Sequence, residues 1–210
     1  MPTSGDPIRI LAVDDHPLIR EGIAAVLQGE PDMLLVAQAS NGRDAIEQFR
    51  EHHPDVTLMD LQMPDMNGID TIAAIRQDYP EARIIVLTTY SGDAQALRAF
   101  RAGASGYLLK NMLRKELLET VRTVHAGRKR VPPEIAVEIA EHHSDDLLTE
   151  REIEVLRQVA DGNANKMVAD QLKISEETVK AHMRSILSKL GANDRTHAVT
   201  IAVKRGIITI

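Results

Sequence analysis

Ile8-Arg9-Ile10-Leu11-Ala12-Val13-Asp14-Asp15 runs from a short apolar stretch directly into two adjacent carboxylates. The apolar residues read as a buried strand, and the carboxylates mark its end. Four further apolar runs follow: Leu34–Ala37, Val56–Met59, Ile84–Leu87 and Tyr107–Leu109. Between them the apolar residues change to helical spacing. Leu18, Gly22, Val26 and Leu27 supply one such face, followed by Ala45, Ile46 and Phe49, then Ile72 and Ile75, then Ala96, Ala99 and Phe100. Strands that are apolar throughout, each followed by a helix, predict a doubly wound α/β fold with five parallel strands covered on both faces.

In such a sheet, ligands bind outside the carboxyl ends of the strands, where the strand order reverses. The polar residues at those ends are therefore the informative ones. The first strand ends in Asp14-Asp15, the third in Asp60, the fourth in Thr88-Thr89 and the fifth in Lys110. Three carboxylates on one rim repel each other unless a cation sits among them, and an all-oxygen donor set favours Mg²⁺ over Zn²⁺. A lysine and a hydroxyl on the same rim suit a phosphoryl group, so the arrangement points to phosphoryl transfer onto a carboxylate. An Asp-Asp pair alone is more often a solvated turn. The combination with Asp60, Thr88 and Lys110 is what gives it meaning. The pairs His52-His53 and His142-His143 lack a third spaced ligand and are assigned no metal site.

Composition sets the outer limits. Of 210 residues, 43% are hydrophobic and 27% charged, the balance of a globular chain, and with 2% aromatics the cores must be aliphatic. The absence of cysteine excludes a disulfide framework, a thiolate zinc site and a cysteine nucleophile. No run is long enough to span a membrane and the start is polar, so a cytoplasmic protein without a membrane partner is expected. The net charge of −6 is unevenly spread. Residues 1–148 carry 15 Lys+Arg against 23 Asp+Glu, whereas 149–210 carry 10 against 8. Any contact with nucleic acid belongs to the positive C-terminal part.

The composition changes at Gly127. Arg128-Lys129-Arg130, Pro132-Pro133 and His142-His143-Ser144-Asp145-Asp146 mark residues 127–147 as a linker holding one short helix, because the prolines block a continuous helix. That separates a first domain, 1–126, from a second, 148–210. The second reads as all-α with four helices. Thr149 and Glu152 form a capping box, a short helix spans about Lys166 to Leu172, Ser175 caps a third helix that Gly191 stops, and a last helix runs from near Asp194 to Gly206. In the third helix Val179, Met183, Ile186, Leu187 and Leu190 form a buried face. The other face displays Thr178, Lys180, Ala181, Arg184, Ser185, Ser188 and Lys189, a basic surface able to reach phosphates or base edges.

Four motifs in order then carry a resemblance. Val13-Asp14-Asp15-His16-Pro17, Leu58-Met59-Asp60-Leu61-Gln62-Met63-Pro64 with Gly68, Leu87-Thr88-Thr89-Tyr90, and Gly103 through Lys110 resemble the receiver domains of two-component response regulators, of the NarL/FixJ type. The resemblance implies a flavodoxin-like receiver with Asp60 as phosphoacceptor. It implies Asp15 and the Gln62 backbone carbonyl as Mg²⁺ ligands beside Asp60, with Asp14 helping through water. Lys110 and Thr88 would meet the phosphoryl group, and Tyr107 would be the switch aromatic. Asn111 follows the lysine where many receivers have proline, which leaves the geometry of the Lys110-Asn111 bond open.

A second resemblance covers about Asp146–Ile210. Leu148-Thr149-Glu150-Arg151-Glu152, Asn165-Lys166, Ile174 through His182, and Lys189-Leu190-Gly191 are similar to the LuxR-type helix-turn-helix, with Met167 where an acidic residue is common. Together the two imply a transcription regulator rather than an enzyme. A sensor histidine kinase and double-stranded DNA are its expected partners, and phosphorylation is expected to control its dimerisation and DNA binding. Lys166, Thr178, Lys180, Ala181, Arg184 and Lys189 are the expected DNA contacts, and Val199, Ala202 and Val203 are candidates for a dimer contact or, equally, for the core. A phosphatase of the haloacid-dehalogenase type would want a carboxylate two residues after Asp60, where Gln62 stands.

Overall fold

The computed structural model describes residues 5–89, 93–131 and 148–208, together with 133 and 136. Apart from 133 and 136, the expected linker helix lies outside these residues, as does His142-His143. The chain divides into two compact units.

The first unit is a parallel five-stranded sheet in the order β2-β1-β3-β4-β5. Its strands are β1 (Ile8–Val13), β2 (Met33–Ala39), β3 (Val56–Asp60), β4 (Ile84–Thr88) and β5 (Gly106–Leu109). The helices are α1 (Pro17–Leu27), α2 (Gly42–His52), α3 (Gly68–Asp78), α4 (Asp93–Ala102) and α5 (Leu113–His125). A 3₁₀ turn, Lys110–Met112, joins β5 to α5. β1 pairs with both β2 and β3, so the strand order reverses between β1 and β3 and a crevice opens at their carboxyl ends. β3 and β4 are buried along their whole length. β2 is the exception to uniformly apolar, buried strands, since at the sheet edge its middle residues are only half-buried and Leu34 is exposed.

Alternate residues of each strand feed two cores. Ile10, Ala12, Val56, Leu58, Ile85, Leu87 and Leu108 pack with Ile23 and Leu27 of α1 and Leu117, Val121 and Val124 of α5. The apolar face of α1 therefore differs from the one expected. Ile19, Ile23, Val26 and Leu27 form the inward stripe, whereas Leu18 is 80% exposed and Gly22 also faces solvent. Leu18 lies one residue, about 100° of helix rotation, from the start of that stripe. Asn41 caps α2 and Asn67 caps α3, each side chain accepting from the backbone N–H of an aspartate in the first turn.

After α5 the chain turns back onto the sheet. Arg130 N donates to Ser105 O at 3.1 Å and Tyr107 N donates to Arg130 O at 2.9 Å. The Arg130 guanidinium meets Glu119 at 2.7 Å and Glu116 at 3.6 Å, so this segment lies along β5 and against α5.

The second unit, over 148–208, is a packed set of helices as expected: α6 (Glu150–Ala160), α7 (Asn165–Leu172), α8 (Glu176–Leu190) and α9 (Arg195–Lys204). Its core gathers Ile153, Val155 and Leu156 of α6, Val168 of α7, Val179 and Ile186 of α8, and Ala198 and Ala202 of α9. The Thr149–Glu152 capping box is present in both directions. Lys173 in the left-handed region closes α7, and Ser175 caps α8 by accepting from Thr178 N. No described helix is long and apolar enough to cross a membrane.

Gly68 shows how tightly β3 is held. A Cβ there would stand 2.0 Å from the Asp60 carbonyl oxygen and 2.8 Å from Leu61 Cα, backbone atoms that cannot swing aside. Gly68→Ala is expected to push α3 away from the end of β3 and to lower stability by about 1–3 kcal/mol. Thermal unfolding of the two proteins checks this, and an unchanged midpoint would mean that the β3–α3 connection yields freely.

Candidate functional site

Register places the rim. Val13 stands opposite Met59, so Asp14 and Asp60 follow side by side at the ends of β1 and β3. Asp60 is opposite Leu87, with Thr88 next, and Thr88 is opposite Leu109, with Lys110 next. Each polar group thus sits one step beyond the last apolar residue of its strand. Asp14, Asp60 and Thr88 are buried, and Lys110 keeps only 9% of its side chain exposed.

Lys110 Nζ lies 2.8 Å from Asp14 Oδ2 and 3.0 Å from Asp60 Oδ2. These contacts meet the distance but not the angular requirement of hydrogen bonds, so they are best described as ion pairs. Gln62 N donates to Asp60 Oδ1 at 3.3 Å and His16 N to Asp14 Oδ1 at 3.0 Å. His16 Nδ1 also lies 2.7 Å from Asp15 Oδ1. Asp14, Asp15, His16 and Asp60 each bring a potential ligand atom within 4.8 Å of the others.

One ammonium does not neutralise three carboxylates, and Asp60 registers the deficit. Burial, and next the charge of Asp14, push its carboxyl above the ordinary range, with Lys110 and the Gln62 amide opposing. Burial also works against the Lys110 ammonium, but Asp14 and Asp60 outweigh it and hold its pKa above the usual value. A cluster of oxygen donors with unbalanced negative charge suits a hard divalent cation.

Tyr107 is buried on β5, its ring centroid 6.4 Å from that of Phe100 on α4. The Lys110-Asn111 bond is trans, since no described peptide bond is cis.

In the second unit, α7 and α8 are joined by the three residues Lys173-Ile174-Ser175. α8 buries Val179, Met183, Ile186 and Leu190, and Leu187 packs half-buried beside them. Lys180, Ala181 and Arg184 are exposed on the other side, as is Lys166 in the first turn of α7. A short helix, a tight turn and a longer helix with an exposed basic face have the form of a helix-turn-helix.

Comparison with known proteins agrees with both halves. Residues 10–122 match the response regulator receiver domain family, and residues 146–202 match the bacterial regulatory proteins of the luxR family. The chain is 37% identical to the transcriptional regulatory protein LnrK of Bacillus subtilis over 216 residues, covering 95% of this chain and 98% of that one. It is 35% identical to the transcriptional regulatory protein DegU of Brevibacillus brevis, covering 97% and 96%. Among solved structures, the response regulator ChrA of a heme-sensing two-component system aligns with a TM-score of 0.56 and 36% identity over 96% of this chain and 99% of that one. The chain belongs to the two-component response regulators with a LuxR-type DNA-binding domain.

A histidine kinase and DNA are the partners this regulator's two domains imply, and its acidic cluster is one that can hold a metal. The residues expected to contact DNA are not equally exposed or unpaired. Lys189 Nζ is 2.8 Å from Glu152 Oε2, which makes it a tie between α8 and α6 rather than a free cation. Nine residues, about 180° of helix rotation, separate Lys189 from Lys180. The Thr178 hydroxyl lies 2.7 Å from that of Ser175, within the helix cap. The three candidates for a dimer contact differ in burial. Ala202 is fully buried, and Val199 and Val203 pack against the same core, because α9 lies on α6 and α8. Its exposed positions include Thr196, Thr200 and Lys204.

Two residues of consequence were not singled out from the sequence. His16 is one, and its signal was its place two residues after Asp14. Glu152, read only as a cap, is the other. Its carboxylate is buried, accepts from Thr149 N at 2.7 Å and Ser185 Oγ at 2.6 Å, and pairs with Lys189. Burial works against its charge, but Lys189, Ser185 and Thr149 together lower its pKa to about 2. Because that is below the usual value of 4.5, the ionised network stabilises the unit above pH 4.5 and is lost as pH falls towards about 2. Glu152→Gln should weaken the unit by about 2–3 kcal/mol at neutral pH and remove that acid dependence. Amide hydrogen exchange of α6 and α8 in the full chain reads both effects, and equal protection in the two proteins would contradict this role.

Proposed function

We propose that this regulator is switched by phosphorylation of Asp60. The reading rests on one observation, Lys110 held between Asp14 and Asp60 at the carboxyl ends of the strands. An Asp60 carboxylate oxygen attacks the phosphorus of a phosphohistidine or small phosphodonor. A new O–P bond forms as the donor's bond to phosphorus breaks, and the donor leaves with the electron pair. Asp14, Asp15 and Asp60, with the Gln62 carbonyl, are the residues that would hold Mg²⁺, which when bound supplies charge neutralisation on the phosphoryl oxygens. Lys110 then exchanges its contact with Asp60 for one with the phosphoryl group, and the Thr88 hydroxyl donates to another oxygen. Tyr107, on the strand that ends in Lys110, carries the change as a switch.

The segment at Arg130 supports a route onward. It is hydrogen-bonded to Tyr107 N and Ser105 O, so the first residues of the 127–147 linker are tied to the switch strand. A shift of β5 therefore reaches the linker directly. In this reading the receiver, residues 1–126, restrains the DNA-binding domain, 148–210, until Asp60 is phosphorylated. The regulator then binds DNA as a dimer on two half-sites in the cytoplasm.

Asp60→Asn should abolish Mg²⁺-dependent incorporation of labelled phosphate from acetyl phosphate. Full labelling of that variant would move the acceptor elsewhere.

The reader is α8, with Lys180, Ala181 and Arg184 towards the major groove and Lys166 towards a phosphate. Arg184→Ala should cost roughly 1–3 kcal/mol on specific DNA and relax preference at one position of each half-site. Lys166→Ala should weaken binding to all sequences and reduce the salt slope by about one unit. Binding of both variants to specific and random duplexes across a salt series checks the pair, and parent-like behaviour of both would remove α8 as the reader.

A further inference from the structure

Glu177 occupies the middle of the exposed face of α8. At about 100° per residue, Glu177, Ala181, Arg184 and Ser188 form one row, opposite the buried stripe of Val179, Met183, Ile186 and Leu190. The Glu177 side chain is 73% exposed, as open as that of Arg184 at 74%. Its Oε2 lies 3.4 Å from Lys180 Nζ and its Oε1 3.8 Å from Arg184 Nη2. Glu176 lies 4.0 Å from the same lysine. One carboxylate thus stands between the two cations assigned to reading DNA.

Glu177 shares the positive first turn of α8 with Glu176, a placement that adds only modestly to helix stability. Exposed ion pairs contribute little, and Glu176 already places an acid in the positive first turn. Against a duplex the placement has a cost, because a carboxylate facing the groove is repelled by phosphates of every sequence. The unit has little positive charge to spare, with 10 Lys+Arg against 8 Asp+Glu over 149–210. That cost is offset only at sites that offer the carboxylate a donor. In the major groove the donor suited to an acidic side chain is the cytosine N4 amino group, and the N-terminal residues of a recognition helix are the ones that reach base edges.

We propose that Glu177 is a specificity-determining residue of the DNA reader, accepting a hydrogen bond from a cytosine amino group in each half-site. Away from such a site the carboxylate offsets the charge of Lys180 and Arg184, which lowers affinity for phosphates of random sequence. At the site it turns to the base and releases both cations to the DNA. The proposal rests on α8 being the reader.

The test is selection of binding sites from a randomised duplex library with the full-length parent, Glu177→Gln, Glu177→Ala and Arg184→Ala. Affinity for the selected and the random duplexes is then measured for each protein. Parent sites should contain one fixed C·G pair per half-site. Glu177→Ala should lose that preference, bind random duplex more tightly, and drop its ratio of specific to random affinity by about tenfold. Glu177→Gln should shift the preference at that pair towards adenine, which an amide side chain reads in a bidentate manner. If both Glu177 variants select the parental site, or bind all sequences more tightly without changing base preference, the base contact is refuted. Arg184→Ala separates the two readings. If it alters site preference while the Glu177 variants do not, only the role of Glu177 falls; if none of the three alters it, α8 is not the reader.

Discussion

Asp14 and Asp60 end adjacent strands, both are buried, and Lys110 reaches across from the end of β5 to touch each of them. Two carboxylates this close and this dry would repel each other strongly without that ammonium. The contact spans β1, β3 and β5, so it fixes the three strand ends relative to one another. It also places Tyr107 three residues before the lysine, on the strand that leads into it. The chemistry of one rim and the geometry of one edge of the sheet are therefore a single constraint.

The second unit has its own buried carboxylate–lysine pair, and the contrast is instructive. Glu152 is fully provided for: a backbone amide, a hydroxyl and an ammonium bring its pKa down to about 2. Asp60 is under-provided, with burial and Asp14 pushing its carboxyl up against the pull of Lys110. A satisfied charge stabilises the charged form and holds two helices together. An under-compensated one favours an additional positive charge, and such perturbed groups gather at functional sites. The two domains thus use the same pair of residue types for opposite ends.

A similar economy governs α8. Its buried stripe and the Glu152–Lys189 tie hold the helix on the core, leaving a row of exposed residues whose charges meet one another. Arg130 does the comparable work at the exit of the receiver, where main-chain hydrogen bonds to β5 and ion pairs to α5 keep the departing chain beside β5.

The sequence by itself determined the alternation of strands and helices, the capping residues Thr149 and Ser175, and the rim of Asp14, Asp15, Asp60, Thr88 and Lys110. These signals are local: hydrophobic period, caps and strand ends are set by neighbours within a few residues. Tertiary structure decided what each charged or apolar residue faces. Lys189 and Lys180 look alike in sequence, but only Lys189 meets Glu152, 37 residues away. Leu18 carries as apolar a side chain as Ile19, yet the sheet lies on the side of α1 that takes Ile19. Val199, Ala202 and Val203 fit an outer surface or a core equally well, and the packing of α9 on α6 and α8 buries Ala202 while leaving Val199 and Val203 half-buried. Pairing across long sequence separation depends on how elements cross, which no local pattern encodes.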